Sequence, residues 1–186
     1  NDLSRDSRIL AVAKGLHPAE RARTSWLAEQ SMLWFLVEKT LAAKAAQRRA
    51  MSDLPRLSEI PPELPEGFRQ RLDRLVRTVQ DEGALVVLPT FSYRLRHSQS
   101  TEEQLKAAES ALYYMPYMSL EGLLAGYEAY NRAIRQVAAE TGALLVDGEL
   151  AIPGDGVHFT DSVHLTDAGS QAMAQRVGDA LLASSR

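Results

Sequence analysis

Apolar residues recur every three or four positions in several stretches of the chain, which is the spacing of an amphipathic helix. This pattern predicts a long helix over residues 24–49 and further helices over residues 68–82, 120–140 and 167–182. The sequence STEE at residues 100–103 has the form of a capping box and predicts a shorter helix over residues 101–113. Residues 9–13 fit either a short strand or a helical turn.

Two short runs are almost entirely apolar, and each directly follows a helix that ends at a glycine. They are residues 84–88 after Gly83 and residues 143–147 after Gly142. Such runs are typical of parallel strands that helices cover on both faces. The repeated order of helix, glycine and strand indicates a βαβ unit with a right-handed crossover. The predicted fold class is therefore α/β, a three-layer α/β/α arrangement around a parallel sheet.

The predicted helix over residues 24–49 has an apolar surface wider than one stripe. One face is formed by Trp26, Leu33, Val37 and Leu41. Four further apolar residues widen this surface: Met32, Trp34, Phe35 and Leu36. Three interpretations stay open: the helix is buried on two sides, it has lost a partner, or residues 26–41 contact a membrane surface. Glu29 and Glu38 interrupt the apolar run, so a membrane-spanning segment is not predicted.

The composition is that of a folded protein, with 45% hydrophobic residues in a chain of 186. At this length residues 1–186 are expected to form a single domain. A net charge of −3 argues against general affinity for nucleic acid, although residues 1–50 hold nine Lys/Arg against five Asp/Glu. The chain has no cysteine, which excludes disulfides and leaves the cellular compartment open.

Residues 161–169, DSVHLTDAG, carry the candidate chemistry. Asp161 stands three residues before His164, and Thr166 is suited to cap the helix that follows. The glycines and proline of residues 148–164 predict a loop, and structureless loops of this length are usually functional. A histidine held by a carboxylate is the usual arrangement for activating a hydroxyl nucleophile. The carboxylate orients one ring nitrogen, and the other nitrogen takes the proton.

This motif and the helix after it resemble the last motif of the SGNH (GDSL-type) esterases and acyl hydrolases. The order of predicted elements is similar over most of the chain. The resemblance implies a flavodoxin-like fold and a Ser-His-Asp triad, in which His164 is general base and then acid and Asp161 is its orienting carboxylate. It further implies hydrolysis of a small ester or of an acylated carbohydrate or lipid, with neither cofactor nor metal.

The chain departs from the family in one respect, because the G-D-S motif that carries the family's nucleophile occurs nowhere in it. The family also carries a G-x-N-D block whose Asn donates to the oxyanion hole, and Asn1-Asp2 matches the end of that block. The resemblance thus implies the C-terminal part of an SGNH domain, helix-rich and truncated at its N-terminus. The serine is then expected in the missing N-terminal part, and Asn1 as an oxyanion donor worth ~3 kcal/mol.

A second D-x-x-H, formed by Asp155 and His158, competes with the first. The pair of Asp161 and His164 is preferred because only this pair is followed directly by a helix start. The four residues stand at three-residue intervals, which also suggests a metal site. A loop lacks the helical geometry that would bring all four together, so no metal is expected.

Residues 90–93 follow the first predicted strand at the edge where α/β folds place their ligands. Together with the loop of residues 115–118 they are expected to line an acyl pocket. Ser92 comes closest to the surroundings of a nucleophile, but the family pattern does not place the nucleophile there. Two further functions remain as alternatives: a non-catalytic SGNH-like binding domain, and a helix-rich interaction fragment that docks through residues 26–41.

Overall fold

A computed structural model describes residues 2–16, 25–50 and 55–184 of the chain. Within these ranges eight helices and two strands follow one another. They are α1 (Asp2–Ala13), α2 (Trp26–Gln30), α3 (Met32–Ala50), α4 (Glu63–Asp81), β1 (Val87–Pro89), α5 (Thr101–Ala107), α6 (Glu109–Tyr114), α7 (Leu120–Thr141), β2 (Leu144–Val146) and α8 (Asp167–Ser184).

The predicted helices are confirmed, with differences in their boundaries. α4 begins at Glu63, five residues before the predicted start at residue 68. The helix expected over residues 24–49 is divided at Ser31, whose extended backbone (φ −140°, ψ 116°) separates α2 from α3. Ser25 caps α2 by accepting a hydrogen bond from the backbone N–H of Ala28. The capping box at residues 100–103 is formed as predicted, but the helix that it opens continues as two short segments, α5 and α6. Residues 9–13, which fitted either structure, belong to α1.

The two strands pair in parallel, in the register Val87 with Leu144 and Pro89 with Val146. Parallel pairing and the mixed α/β class are therefore confirmed, although each strand is shorter than its apolar run. Covered faces are not observed in the described part of the chain: Leu85 is 66% exposed and residues 86–88 are only half-buried. The described sheet has two strands, fewer than a three-layer architecture requires.

The core is built around α7, which packs against α4 along its length. The buried face of α7 includes Leu123, Tyr127 and Val137, and α4 contributes Val76. Gly122 lets the start of α7 approach the chain at Leu57 closely. A Cβ built on Gly122 would lie 2.0 Å from the carbonyl oxygen of Leu57.

The Leu57 carbonyl cannot move aside easily, because it accepts hydrogen bonds from the N–H and the hydroxyl of Ser119. We therefore expect Gly122→Ala to lower the free energy of unfolding by about 2 kcal/mol or more through overpacking. Gly178→Ala in α8 is the matched control, since a Cβ there meets nothing within 4 Å. It should stabilise the protein by roughly 0.5–1 kcal/mol, because alanine favours a helix.

Urea denaturation followed by far-UV circular dichroism measures both changes. A Gly122→Ala variant as stable as the parent would contradict the close approach of α7 to Leu57.

Candidate functional site

The loop between β2 and α8 is fixed to the core at several points. Ile152, Phe159 and Ser162 are buried, at 0%, 1% and 2% exposure. Arg96 donates a hydrogen bond of 2.7 Å to the Ile152 carbonyl, and Gln99 donates one of 3.1 Å to the Gly154 carbonyl. The predicted absence of regular structure is confirmed for residues 148–164. These contacts nevertheless attach the loop to the core of the protein.

Residues 158–166 fold back on themselves as a tight turn. An antiparallel bridge joins Phe159 to Leu165. The N–H of Thr160 donates to the carbonyl of His164 (2.9 Å), and the N–H of Thr166 donates to the carbonyl of His158 (3.0 Å). This turn presents Asp161 and His164 at its outer end.

Asp161 and His164 are brought together as the sequence predicts. Nδ1 of His164 lies 2.8 Å from Oδ2 of Asp161. The other carboxylate oxygen accepts the backbone N–H groups of Val163 and His164, each at 2.9 Å. An ionised carboxylate can only accept, so the proton of the neutral ring lies on Nδ1 and Nε2 is left as an acceptor.

The surroundings of the pair favour a charged Asp161 and an accessible His164. Partial burial acts to raise the pKa of Asp161, but the hydrogen bonds from Val163 and His164 outweigh it and the net pKa is lowered. The His164 side chain is 77% exposed, against 34% for Asp161. The arrangement therefore offers an oriented imidazole on a largely exposed side chain.

The second D-x-x-H forms the same contact. Nδ1 of His158 lies 2.8 Å from Oδ1 of Asp155, which also accepts the N–H groups of Val157 and His158. The ring hydrogen bond and the backbone N–H of His158 lower the pKa of Asp155. Local geometry thus does not separate the two pairs.

The two D-x-x-H pairs differ in how their histidines are exposed and packed. The His158 side chain is only 23% exposed, and its carbonyl lies against the first turn of α8. A Cβ on Gly169 would come within 2.2 Å of that carbonyl oxygen. Thr166 caps α8 as predicted, accepting the Gly169 N–H at 3.2 Å and donating to the Val157 carbonyl at 2.5 Å. The geometry fits a structural role for His158 beneath the helix start.

Two residues around the site were not identified from the sequence. Ser162 stands between Asp161 and His164, and its hydroxyl accepts hydrogen bonds from the Ser110 hydroxyl (2.9 Å) and from the Ala111 N–H (3.1 Å) in α6. Its position inside the D-x-x-H is the only sequence signal for this role. Tyr127 of α7 lies under the turn: burial raises its pKa, and the charge of Asp161 raises it further.

The predicted acyl pocket is not observed in the described part of the chain, because most of the side chains assigned to it lie inside the core. Within residues 90–93 the exception is Phe91, which is 41% exposed. Thr90, Ser92 and Tyr93 are 1%, 6% and 2% exposed. Tyr93 stacks on Tyr127 with ring centroids 4.7 Å apart. In the 115–118 loop Met115, Tyr117 and Met118 are likewise buried.

None of the described serines is the partner of either histidine ring. Among the described residues, the ring of each histidine forms its hydrogen bond with its own aspartate. The hydroxyl of Ser92 is buried and has no hydrogen-bond partner among the described residues. The other sequence-predicted site residue, Asn1, lies outside the residues that the structure describes.

Within the described ranges, no group of three or more His, Asp or Glu side chains is placed to hold a metal ion. Comparison of the chain with family models, curated proteins and solved structures gave no match. Functional inference therefore depends on the geometry of the Asp161–His164 turn itself.

The lowered pKa of Asp161 predicts a specific pH dependence. Its carboxyl group should titrate below the ordinary value of 3.8, as observed through the side-chain carboxyl carbon by NMR. A carboxylate with a depressed folded-state pKa stabilises the fold above that ordinary value, and the contribution disappears as the pH falls through the folded pKa. Asp161→Asn should therefore destabilise the protein near neutral pH and have a smaller effect in acid.

His164→Ala is the informative companion variant. It removes the ring hydrogen bond and leaves both backbone N–H donors, so part of the lowering of the Asp161 pKa should persist. Titration of Asp161 at or above 3.8 in the parent protein would contradict the hydrogen-bonding scheme.

Proposed function

We propose that this chain supplies the acid–base part of an SGNH-type serine ester hydrolase, whose nucleophilic serine lies outside the 186 residues. The observation that supports this most directly is the 2.8 Å contact between Asp161 and His164, whose side chain is 77% exposed. A histidine that a carboxylate orients in this way commonly activates a hydroxyl nucleophile.

The reaction would use His164 twice. Nε2 accepts the proton of the serine hydroxyl as its oxygen attacks the ester carbonyl, and Asp161 stabilises the imidazolium that forms. The imidazolium then donates that proton to the leaving alcohol as the ester C–O bond breaks. In the second half the same nitrogen activates water, which releases the acid from the acyl-enzyme and regenerates the serine.

The fold of the complete protein is proposed to be the three-layer α/β/α arrangement. Support comes from the parallel pairing of β1 and β2 and from α7, which connects them and packs on both. Exposed apolar side chains next to β1 and on α4 are consistent with further strands and helices in the complete protein: Leu85 is 66% exposed and Leu75 of α4 is 60% exposed. Asn1 would then supply a hydrogen bond to the oxyanion.

The substrate would be a small ester or an acylated carbohydrate or lipid. A second candidate function, a non-catalytic binding domain of the same fold, is favoured by one observation. Neither histidine ring contacts a serine in the described structure. The two functions differ in whether the full-length protein turns over an ester.

The isolated 186-residue chain should not hydrolyse esters, because removal of the nucleophile leaves little of the catalysis of a triad. The measurement is turnover of an activated acetyl ester by the chain and by the full-length protein that contains it. The full-length protein should be active and be inactivated by a serine-directed phosphonate. Phosphonate-sensitive hydrolysis by the chain alone would refute an external nucleophile, and an inactive full-length protein would favour the binding domain.

Single substitutions in the full-length protein should distinguish the two Asp–His pairs. His164→Ala should lower kcat by at least ~10³, whereas His158→Ala, the matched control, should cost about tenfold or less. Asp161→Asn should also be severe, because an amide can favour the wrong ring tautomer. Circular dichroism establishes that each variant is folded. An essential Asp155–His158 pair with a dispensable Asp161–His164 pair would overturn the assignment.

A further inference from the structure

The helical hairpin of α2 and α3 carries a large apolar surface that the described part of the protein leaves exposed. Nine large apolar side chains between residues 26 and 41 are 37% to 74% exposed. They are Trp26, Leu27, Met32, Leu33, Trp34, Phe35, Leu36, Val37 and Leu41. Burial on two sides, one of the three interpretations of this helix, is therefore not observed in the described part of the protein. A contiguous apolar patch of this kind marks an interaction site.

The exposed face of α3 changes from apolar to cationic side chains along the helix axis. Leu33 and Val37 lie at the N-terminal half of this face, and Lys44 and Arg48 continue it at spacings of seven and four residues. Lys44 and Arg48 are exposed. At 1.5 Å per residue, about 22 Å separates Leu33 from Arg48. One end of the face is thus apolar, and the other is cationic.

The single carboxylate of α3 is held by hydrogen bonds within the hairpin. Oε1 of Glu38 accepts a 2.8 Å hydrogen bond from the indole N–H of Trp34. The same carboxylate accepts hydrogen bonds from the backbone N–H and the hydroxyl of Ser25, which caps α2. Glu38 therefore joins the two helices of the hairpin and leaves the charge of the exposed face positive.

From this surface we propose that the α2–α3 hairpin docks on an anionic lipid bilayer, with its apolar half among the acyl chains and Lys44 and Arg48 among the headgroups. Aromatic and aliphatic side chains combined with basic residues are the composition of helices that lie in a membrane interface. No helix in the described ranges is long and apolar enough to cross a bilayer. The proposal goes beyond ester hydrolysis and does not depend on it.

Charge argues for lipid over a second copy of the chain. Two copies paired along the whole of α3 in the same direction would place Lys44 and Arg48 opposite like charges. Paired in opposite directions, they would place those cations against the apolar half of the partner helix. An anionic lipid surface satisfies both halves at once, because headgroup phosphates meet the cations while the acyl chains meet the apolar side chains.

The chain offers an intrinsic probe of this contact, because both of its tryptophans, Trp26 and Trp34, lie on the hairpin. The experiment titrates the chain with vesicles of phosphatidylcholine containing phosphatidylglycerol and with vesicles of phosphatidylcholine alone. With the anionic vesicles the tryptophan emission should shift to shorter wavelength and be quenched by brominated acyl chains. Phosphatidylcholine alone should bind at least tenfold more weakly.

Two variants separate the contributions of the two halves. Leu33→Asp combined with Leu36→Asp should abolish binding, since both side chains are exposed and both would enter the acyl region. Lys44→Glu combined with Arg48→Glu should lower the partition constant by roughly 20-fold or more. Matched controls on exposed positions of α4 and α7 are Leu75→Asp and the pair Arg74→Glu with Arg132→Glu. These controls should bind like the parent.

Three results would overturn the proposal. The first is equal affinity for neutral and anionic vesicles. The second is that the control variants lose as much vesicle binding as the hairpin variants do. The third is a protein that ignores vesicles but forms a dimer that Leu33→Asp dissociates, which would assign the surface to a second copy. Circular dichroism of each variant excludes unfolding as the cause.

Discussion

The hydrogen bonds between Ser110 and Ser162 are the contact on which the candidate site depends. The Ser110 hydroxyl accepts the Ser162 N–H and donates to the Ser162 hydroxyl, so a turn in the β2–α8 loop is fixed to α6 in the core. Arg94 adds a third bond by donating its N–H to the Ser162 carbonyl. Because Ser162 is the residue after Asp161, these bonds hold the orienting carboxylate in place, and the Asp161–His164 contact needs little further ordering of the chain.

The parts of the structure that could be predicted from the sequence are those that depend on nearby residues. The helices α4, α7 and α8 follow from apolar spacing, and the Asp161–His164 contact follows from a three-residue separation that also lets the aspartate accept the next backbone N–H groups. The division at Ser31 could not be predicted, because the apolar pattern continues across it. The role of Ser162 could not be predicted either, because its partner Ser110 is 52 residues away along the chain.

The two D-x-x-H pairs show what a short motif specifies and what it leaves to the fold. Both aspartates accept the same backbone donors and both hold a ring Nδ1 at 2.8 Å. The motif therefore produces an oriented histidine wherever the chain can turn. The fold then decides which ring can meet a reactant: α8 begins over His158, while His164 at the outer end of the turn remains largely exposed. Exposure, and not the motif, is the basis for choosing His164.

The α2–α3 hairpin and the candidate site are connected through one short helix. α3 packs against α6, and α6 carries Ser110 and Ala111, both of which bind Ser162. A surface held on a bilayer by α3 would therefore place the Asp161–His164 turn at a fixed position relative to that bilayer, with one helix between them. If the substrate is an acylated lipid, such placement would raise the local concentration of ester at the turn without any conformational change in the site. The connection through α6 fixes the position of the site and does not change its geometry. Vesicle binding should therefore lower the KM for a lipid ester presented in the same bilayer, while kcat for a water-soluble ester stays constant.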